Sequence, residues 1–257
     1  PAGAAPSSKQ VQGVGEGRSL TDLLGRVPAA ARAGTQALSF EVLRRLGGAQ
    51  AVRNVVVAKA PPPAVDALLV SAIALLWPPA PGARPAYPDH TLVDQAVHAA
   101  HQRTPAAVAF VNAVLRRFVR ERDALVAAAE HQPVGAFNHP LWWIERLRHD
   151  WPAHWQTLLL AASRHPPMTL RVNARRTTAE AYVQRLAAQG QSAQATGGHT
   201  VVMVEPCPVF QLPGFAEGEV SVQDAAAQRA APLLLGRGES PPACAGPLPL
   251  RARVLDA

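Results

Sequence analysis

The sequence predicts an α+β chain of 257 residues in three successive parts: a helical bundle, a small α/β module and the first strand of a further α/β domain. Three observations carry this. Apolar residues recur at three- and four-residue steps almost without a break from residue 31 to about 130. From Met168 the pattern changes to short strand-like runs, at 169–172, 200–204 and 219–222, around one capped helix. At the end, Arg253-Val254-Leu255-Asp256-Ala257 reads as a strand stopping at the turn where a ligand loop begins.

Residues 1–18, rich in Gly, Ala, Ser and Gln, read as a flexible N-terminus. Ser19 caps a short helix carrying Leu20, Leu23 and Leu24. A helix follows over 31–46, with Ala37, Leu38, Val42 and Leu46 on one face, Phe40 and Leu43 beside them, and Gly47-Gly48 ending it. Residues 52–59 have helical neighbours, although Val55-Val56-Val57-Ala58 also suits a strand. Pro61-Pro62-Pro63 is a break, 66–76 is an apolar helix that must be buried, and 78–88 is a Pro-rich loop. A helix over 90–101 carries the stripe of Leu92, Val93, Ala96, Val97 and Ala100. Thr104-Pro105 then starts the longest helix, with Val108, Val111, Leu115, Phe118 and Leu125 inward. Residues 19–130 are therefore one helical bundle.

The second region spans 137–235. It opens with helices over 141–150 and 152–163, on which Trp143, Leu147, Trp151 and Trp155 stand four apart. That spacing fits a packing stripe or a platform on which bases stack. Thr178 caps a helix through Ala188, and Gly190 ends it. The stretch 221–235 reads as the tail of a strand, an Asp224 cap and an Ala-rich helix. Residues 236–253 form a flexible Gly/Pro-rich linker, and 254–257 start the third part.

Lys and Arg number 25 against 18 Asp and Glu, and the pI is near 10.6. Such a surface suits nucleic acid or an anionic membrane, while GC-rich coding alone would enrich Arg, Ala, Pro and Gly together. No apolar run is long enough to span a membrane, and no signal peptide pattern is present, which places the chain in the cytoplasm. Cys207 and Cys244 make no C-x-x-C arrangement and imply no metal site. Arg116, Arg117 and Arg120 share a helical surface that can meet successive phosphates, or that pairs with Glu121 and Asp123 instead. Arg44, beside Arg45, is a weaker pair of the same kind. Arg171 and Asn173 at a strand end suit phosphate and base-edge contacts, or else terminate and cover the strand. Gln223 and Asp224 read as helix capping.

Several stretches, taken in order, resemble one family. They are Thr35-Gln36 with 40–44; Phe110-Val111-Asn112 through Phe118; Asn138-His139-Pro140-Leu141-Trp142; 166–173, ending Leu170-Arg171-Val172-Asn173; Leu212-Pro213-Gly214-Phe215; 221–228, Ser221-Val222-Gln223-Asp224 through Gln228; and Val254-Leu255-Asp256-Ala257. The set is similar to the bacterial RsmB (Sun/Fmu) ribosomal RNA 5-methylcytosine methyltransferases. The resemblance implies a NusB-like, RNA-binding helical domain at 19–130. It implies an RNA-recognition module over the α/β region, and a Rossmann-like methyltransferase domain that binds S-adenosylmethionine. In that family the cofactor loop follows the Leu-Asp-Ala strand, and two catalytic cysteines lie further on, one of which adds covalently to the cytosine. Neither Cys207 nor Cys244 matches those positions, and the linker is longer than the family's pattern.

The expectation is thus the RNA-recognition portion of such an enzyme, truncated before the cofactor loop. It would have ribosomal RNA as partner, no membrane or metal, a monomeric state, and no S-adenosylmethionine bound by this chain itself. The alternative is a non-enzymatic NusB-like module that binds RNA and protein in transcription antitermination. A third is a fragment that does not fold stably.

Overall fold

A computed structural model describes residues 4–79, 85 and 87–234. The chain divides into two compact units, Pro1–Arg164 and His165–Ala257.

The first unit is wholly helical among the described residues. Its helices are α1 (Ala4–Gly15), α2 (Leu20–Gly25), α3 (Ala29–Arg44), α4 (Leu46–Val56), α5 (Pro63–Leu75), α6 (Asp89–Arg103), α7 (Val108–Arg120), α8 (Arg122–Glu130), α9 (Pro133–Phe137), α10 (Leu141–Asp150) and α11 (Trp155–Ala162). Helix α5 is apolar but for Asp66 and Ser71 and is buried at Val65 and from Ala67 to Ala74, with α1, α3, α4, α6 and α7 packed about it. A helix without a polar face can be stable only at such a centre. Val42, Val52, Leu69, Ile73, Leu115 and Phe118 are almost fully buried in this core.

Four sequence expectations change here. Residues 4–15 are not a free tail, because α1 buries Ser7, Ser8, Gln10 and Val11 against the bundle. Arg103 at the end of α6 donates to Ser8 Oγ at 2.6 Å and to Gln12 Oε1 at 3.3 Å. Small polar side chains let this helix sit close, and they hide its apolar signature. Gly47-Gly48 begins α4 instead of ending α3. A Cβ on Gly47 would stand 2.4 Å from the Val134 carbonyl oxygen, and one on Gly48 would stand 2.7 Å from the Trp77 ring, so the glycines serve close packing. The buried face of α3 is Thr35, Ser39 and Val42, and Phe40 is exposed. The helix expected to be longest is two, α7 and α8, broken at Glu121 (φ −108°, ψ 19°).

The boundary also moves. The first unit runs to Arg164, not to about 130, because α9 packs on α4 and α8, and α10 and α11 pack on α9. Asn138, in the left-handed region at φ 54°, ends α9 and accepts the Gly48 N–H at 2.8 Å.

The second unit holds β1 (Thr169–Val172), α12 (Ala179–Ala188), β2 (Ala193–Gly197), β3 (Thr200–Met203), β4 (Val220–Val222), α13 (Ala225–Gln228) and α14 (Ala230–Leu234). All strand pairs are antiparallel, in the order β2-β3-β1-β4, so the chain is α+β. Leu170, Val172, Val201 and Val220 face α12 and bury Tyr182 and Leu186 with them. Thr178 accepts the Ala181 N–H, as its capping position predicts. Gly190 N–H reaches Ala187 O and Gln191 N–H reaches Leu186 O, the pair that closes a helix on a left-handed glycine. Strand β2 has no counterpart in the sequence expectation: its Ala-Gln-Ala-Thr-Gly lacks apolar alternation, and it is mostly exposed at the sheet edge.

Gln228 braces α13 to the sheet. Its amide donates to Leu170 O and Gln223 O and accepts from Thr200 Oγ1 at 2.9 Å. Asp224 accepts the Ala226 N–H at 2.8 Å, which is the capping role expected of it. The linker 236–253, with Cys244, and the strand expected at 254–257 lie outside the described residues, as does most of the Pro-rich loop.

Candidate nucleic-acid interface

Helix α7 turns Val111, Val114, Leu115 and Phe118 inward, which leaves Arg116, Arg117 and Arg120 exposed on its other side. Two of the three share one carboxylate. Arg117 Nε donates to Glu121 Oε2 and Arg120 Nη2 to Glu121 Oε1, both at 3.0 Å. These hydrogen bonds, Arg117 first, hold the Glu121 carboxyl below its ordinary value of 4.5. Arg117 also reaches the Val56 carbonyl at 3.5 Å, near the C-terminus of α4, where a cation is favoured. Among the described residues Arg116 meets only the Asn112 amide, at 3.1 Å. Arg44 and Arg45 both face Glu41, at 3.6 and 3.2 Å.

The tryptophans expected to form one stripe divide. Trp155 packs on Phe137, ring centroids 5.0 Å apart, and the Arg148 guanidinium lies 5.9 Å from the Trp155 centroid. Trp151 and Trp143 remain 56% and 38% exposed, and Ile144 is the buried residue of α10. Arg146 and His149 beside them both contact Asp150, so this face carries little free positive charge.

The second unit differs in that respect. Arg171 lies on the outer face of β1, in register between Thr200 and Ser221. It borders a cleft of about 460 Å³ lined also by Asn173, Arg175, His199, Gly218 and Ser221, with no acidic residue in its wall. Arg171 makes one long hydrogen bond, 3.4 Å to Gln223 Oε1. Asn173 is drawn into the wall itself: its Oδ1 accepts the Arg175 N–H at 3.1 Å and its Nδ2 donates to Gly218 O at 3.0 Å. Of the two carboxylates that flank Gly218 in sequence, Glu217 and Glu219, neither lines the cleft, and Glu219 is paired with Arg185.

Sequence reasoning missed Arg175 and His199. Signals for both existed. An Asn two residues before Arg175 is the pattern of a turn closed by its own side chain, and Gly197-Gly198 is a hairpin signal that delivers His199 beside β1. The backbone confirms the second, since Gly197 and Gly198 have φ of 112° and 58° and Val172 N–H donates to His199 O.

Cys207 is half-buried against Met168, whose sulfur accepts its backbone N–H at 3.4 Å, and it packs on the core of this unit. The described residues do not fit S-adenosylmethionine in the manner of a Rossmann-like site. Their strands are all antiparallel, and a nucleotide crevice of that kind opens at the carboxyl ends of parallel ones. No described helix is long and apolar enough to cross a membrane.

A family profile described as the ferredoxin-like domain of RsmF/B-like methyltransferases matches residues 139–210. Over 150 residues the chain is 42% identical to the probable ribosomal RNA small subunit methyltransferase B of Coxiella burnetii, covering 57% of this chain and 35% of that one. It is 43% identical over 150 residues to the ribosomal RNA small subunit methyltransferase B of Pseudomonas putida, covering 57% and 34%. The chain thus spans about a third of the length of the curated relatives it matches. In fold it is similar to the crystal structure of PH0851, with a TM-score of 0.59 at 17% identity, over 91% of this chain and 56% of that one. The chain is therefore similar over residues 139–210 to the RsmF/B-like ferredoxin-like domain, and over 150 residues to proteins named ribosomal RNA small subunit methyltransferase B.

Proposed function

We propose that this chain is the RNA-recognition portion of an S-adenosylmethionine-dependent methyltransferase acting on cytosine C5 of small-subunit ribosomal RNA in the cytoplasm. The observation that carries the reading is the basic cleft on a ferredoxin-like unit whose curated relatives are named ribosomal RNA methyltransferases. Arg171, with Asn173 shaping the wall, serves as an RNA contact there. In the first unit, taken as NusB-like, Arg116 is the better contact, and Arg117, Arg120 and Arg44 join once their carboxylates give way to phosphate. The chain acts as a monomer in this role.

Methyl transfer belongs to the part of the relatives that this chain does not span, the Rossmann-like domain with its cofactor loop and catalytic cysteines. Cys207 is packed in the recognition unit and supplies no nucleophile. The test is an assay of the 257-residue chain with small-subunit ribosomal RNA and labelled S-adenosylmethionine. Salt-sensitive RNA binding without methyl transfer is expected. Methyl transfer by this chain would overturn the assignment of catalysis elsewhere, and failure to bind RNA would favour a protein-binding module.

A further inference from the structure

The geometry points to the cleft of the second unit as a clamp for the phosphodiester backbone of an RNA strand, closed by Arg171, Arg175 and His199 and indifferent to base identity. This rests on the RNA-recognition reading and gives that site its ligand chemistry. Most arginines for which contacts are described have a carboxylate: Arg53 faces Asp66, Arg122 faces Asp89, Arg146 faces Asp150 and Arg185 faces Glu219. Among the described residues, arginines elsewhere also stand without a carboxylate, Arg103 and Arg116 being two, but in the cleft two arginines and a histidine line one concavity. The Arg175 and His199 side chains have no hydrogen bond or ion pair among the described residues, and Arg171 has only its long bond to an amide. Two arginines and an imidazole around one concavity, with no acid in its wall, leave positive charge that an anion balances.

The rest of the wall selects which anion. Its volume of about 460 Å³ admits a nucleotide unit. No Phe, Tyr or Trp lines it, so stacking is limited to the His199 ring and the guanidinium planes, which take any base. Phe215 packs against the core of the unit. Gly218 (φ 71°) presents bare backbone, and Ser221 a hydroxyl suited to a phosphate or ribose oxygen. Asn173 is a positioning residue, because its two hydrogen bonds fix the Arg175 backbone to the 218 turn. Contacts of this sort set register along the strand and leave sequence to be read elsewhere.

The experiment measures binding of 12-nucleotide oligo(U) and oligo(A) ribonucleotides, by fluorescence anisotropy over a salt series, to the unaltered chain and to Arg171→Ala and Arg175→Ala. Both arginines are exposed, and circular dichroism checks that each variant folds. Loss of one charge-assisted contact lowers affinity about tenfold. It also flattens the slope of log affinity against log salt by about 0.7. The same change on both oligonucleotides is expected. Unchanged affinity in both variants, while the unaltered chain binds RNA, overturns the clamp and leaves the RNA-recognition reading standing. A loss confined to one oligonucleotide overturns base indifference. If the unaltered chain binds neither oligonucleotide nor ribosomal RNA, both readings fall.

Discussion

Asn173 Nδ2 donates to the Gly218 carbonyl oxygen at 3.0 Å, joining segments 45 residues apart in sequence. The same side chain's Oδ1 holds the Arg175 N–H, so one amide shapes two walls of the cleft. Asn173→Ala should lower stability by about 1 kcal/mol, near the net worth of such bonds. Asn173→Ser keeps an uncharged oxygen acceptor for the Arg175 N–H and loses the donor to Gly218. RNA affinity should therefore fall further in the Ala variant than in the Ser variant. Equal affinities, measured by anisotropy on folded protein, would show that the Arg175 turn is not what matters.

Glu121 competes with RNA for Arg117 and Arg120. Glu121→Gln should free both and raise RNA affinity by about two- to threefold, the scale of an exposed charge pair. The Glu121 carboxyl lies below its ordinary value in the fold, so its contribution to stability is present above pH 4.5 and is lost as pH falls through the lower folded value. An NMR titration of the Glu121 carboxyl reads this directly. Affinity unchanged by the substitution would remove this face of α7 from the RNA path.

Gly135 in α9 shows why a glycine sits inside a helix. A Cβ there would stand 2.1 Å from the Ala129 carbonyl oxygen, a backbone atom that cannot rotate away. Gly135→Ala should destabilise the first unit by about 1–3 kcal/mol despite alanine's better helix propensity. Gly34→Ala, where nothing lies within 4 Å, is the control and should be neutral or stabilising. Thermal melts of the two variants compare them.

Tyr182 donates its hydroxyl to Pro213 O at 2.9 Å, and burial pushes its pKa up from 10.0 to about 12. A raised value means that the folded state holds the proton more tightly. The associated stability is complete below pH 10 and is lost as pH rises towards 12. In a Tyr87→Phe background, the tyrosinate absorbance of Tyr182 should appear only near pH 12 while the unit is folded. Tyr182→Phe should cost about 1 kcal/mol through the lost hydrogen bond.

The helical bundle and the change of pattern at Met168 were legible because large apolar residues recur with clear periods. Where small or polar residues carry the packing, the signal faded. Helix α1 is anchored through Ser7, Ser8 and Gln10, the glycines at 47 and 48 look like a stop, and β2 alternates without apolar contrast. The site was half legible. Arg171 and Asn173 stand out in a strand-end motif, whereas Arg175 and His199 join them only through a turn and a hairpin that bring distant residues together. Which arginines have carboxylate partners depends on side-chain reach across a turn, as at Glu121, and spacing left both outcomes open.

The most direct test is the affinity of this chain for small-subunit ribosomal RNA as salt is varied. Log affinity should fall linearly with log salt, and the slope should shrink when Arg171 and Arg175 are both replaced by alanine. Binding that is absent at low salt, or that does not change with salt, would contradict the account.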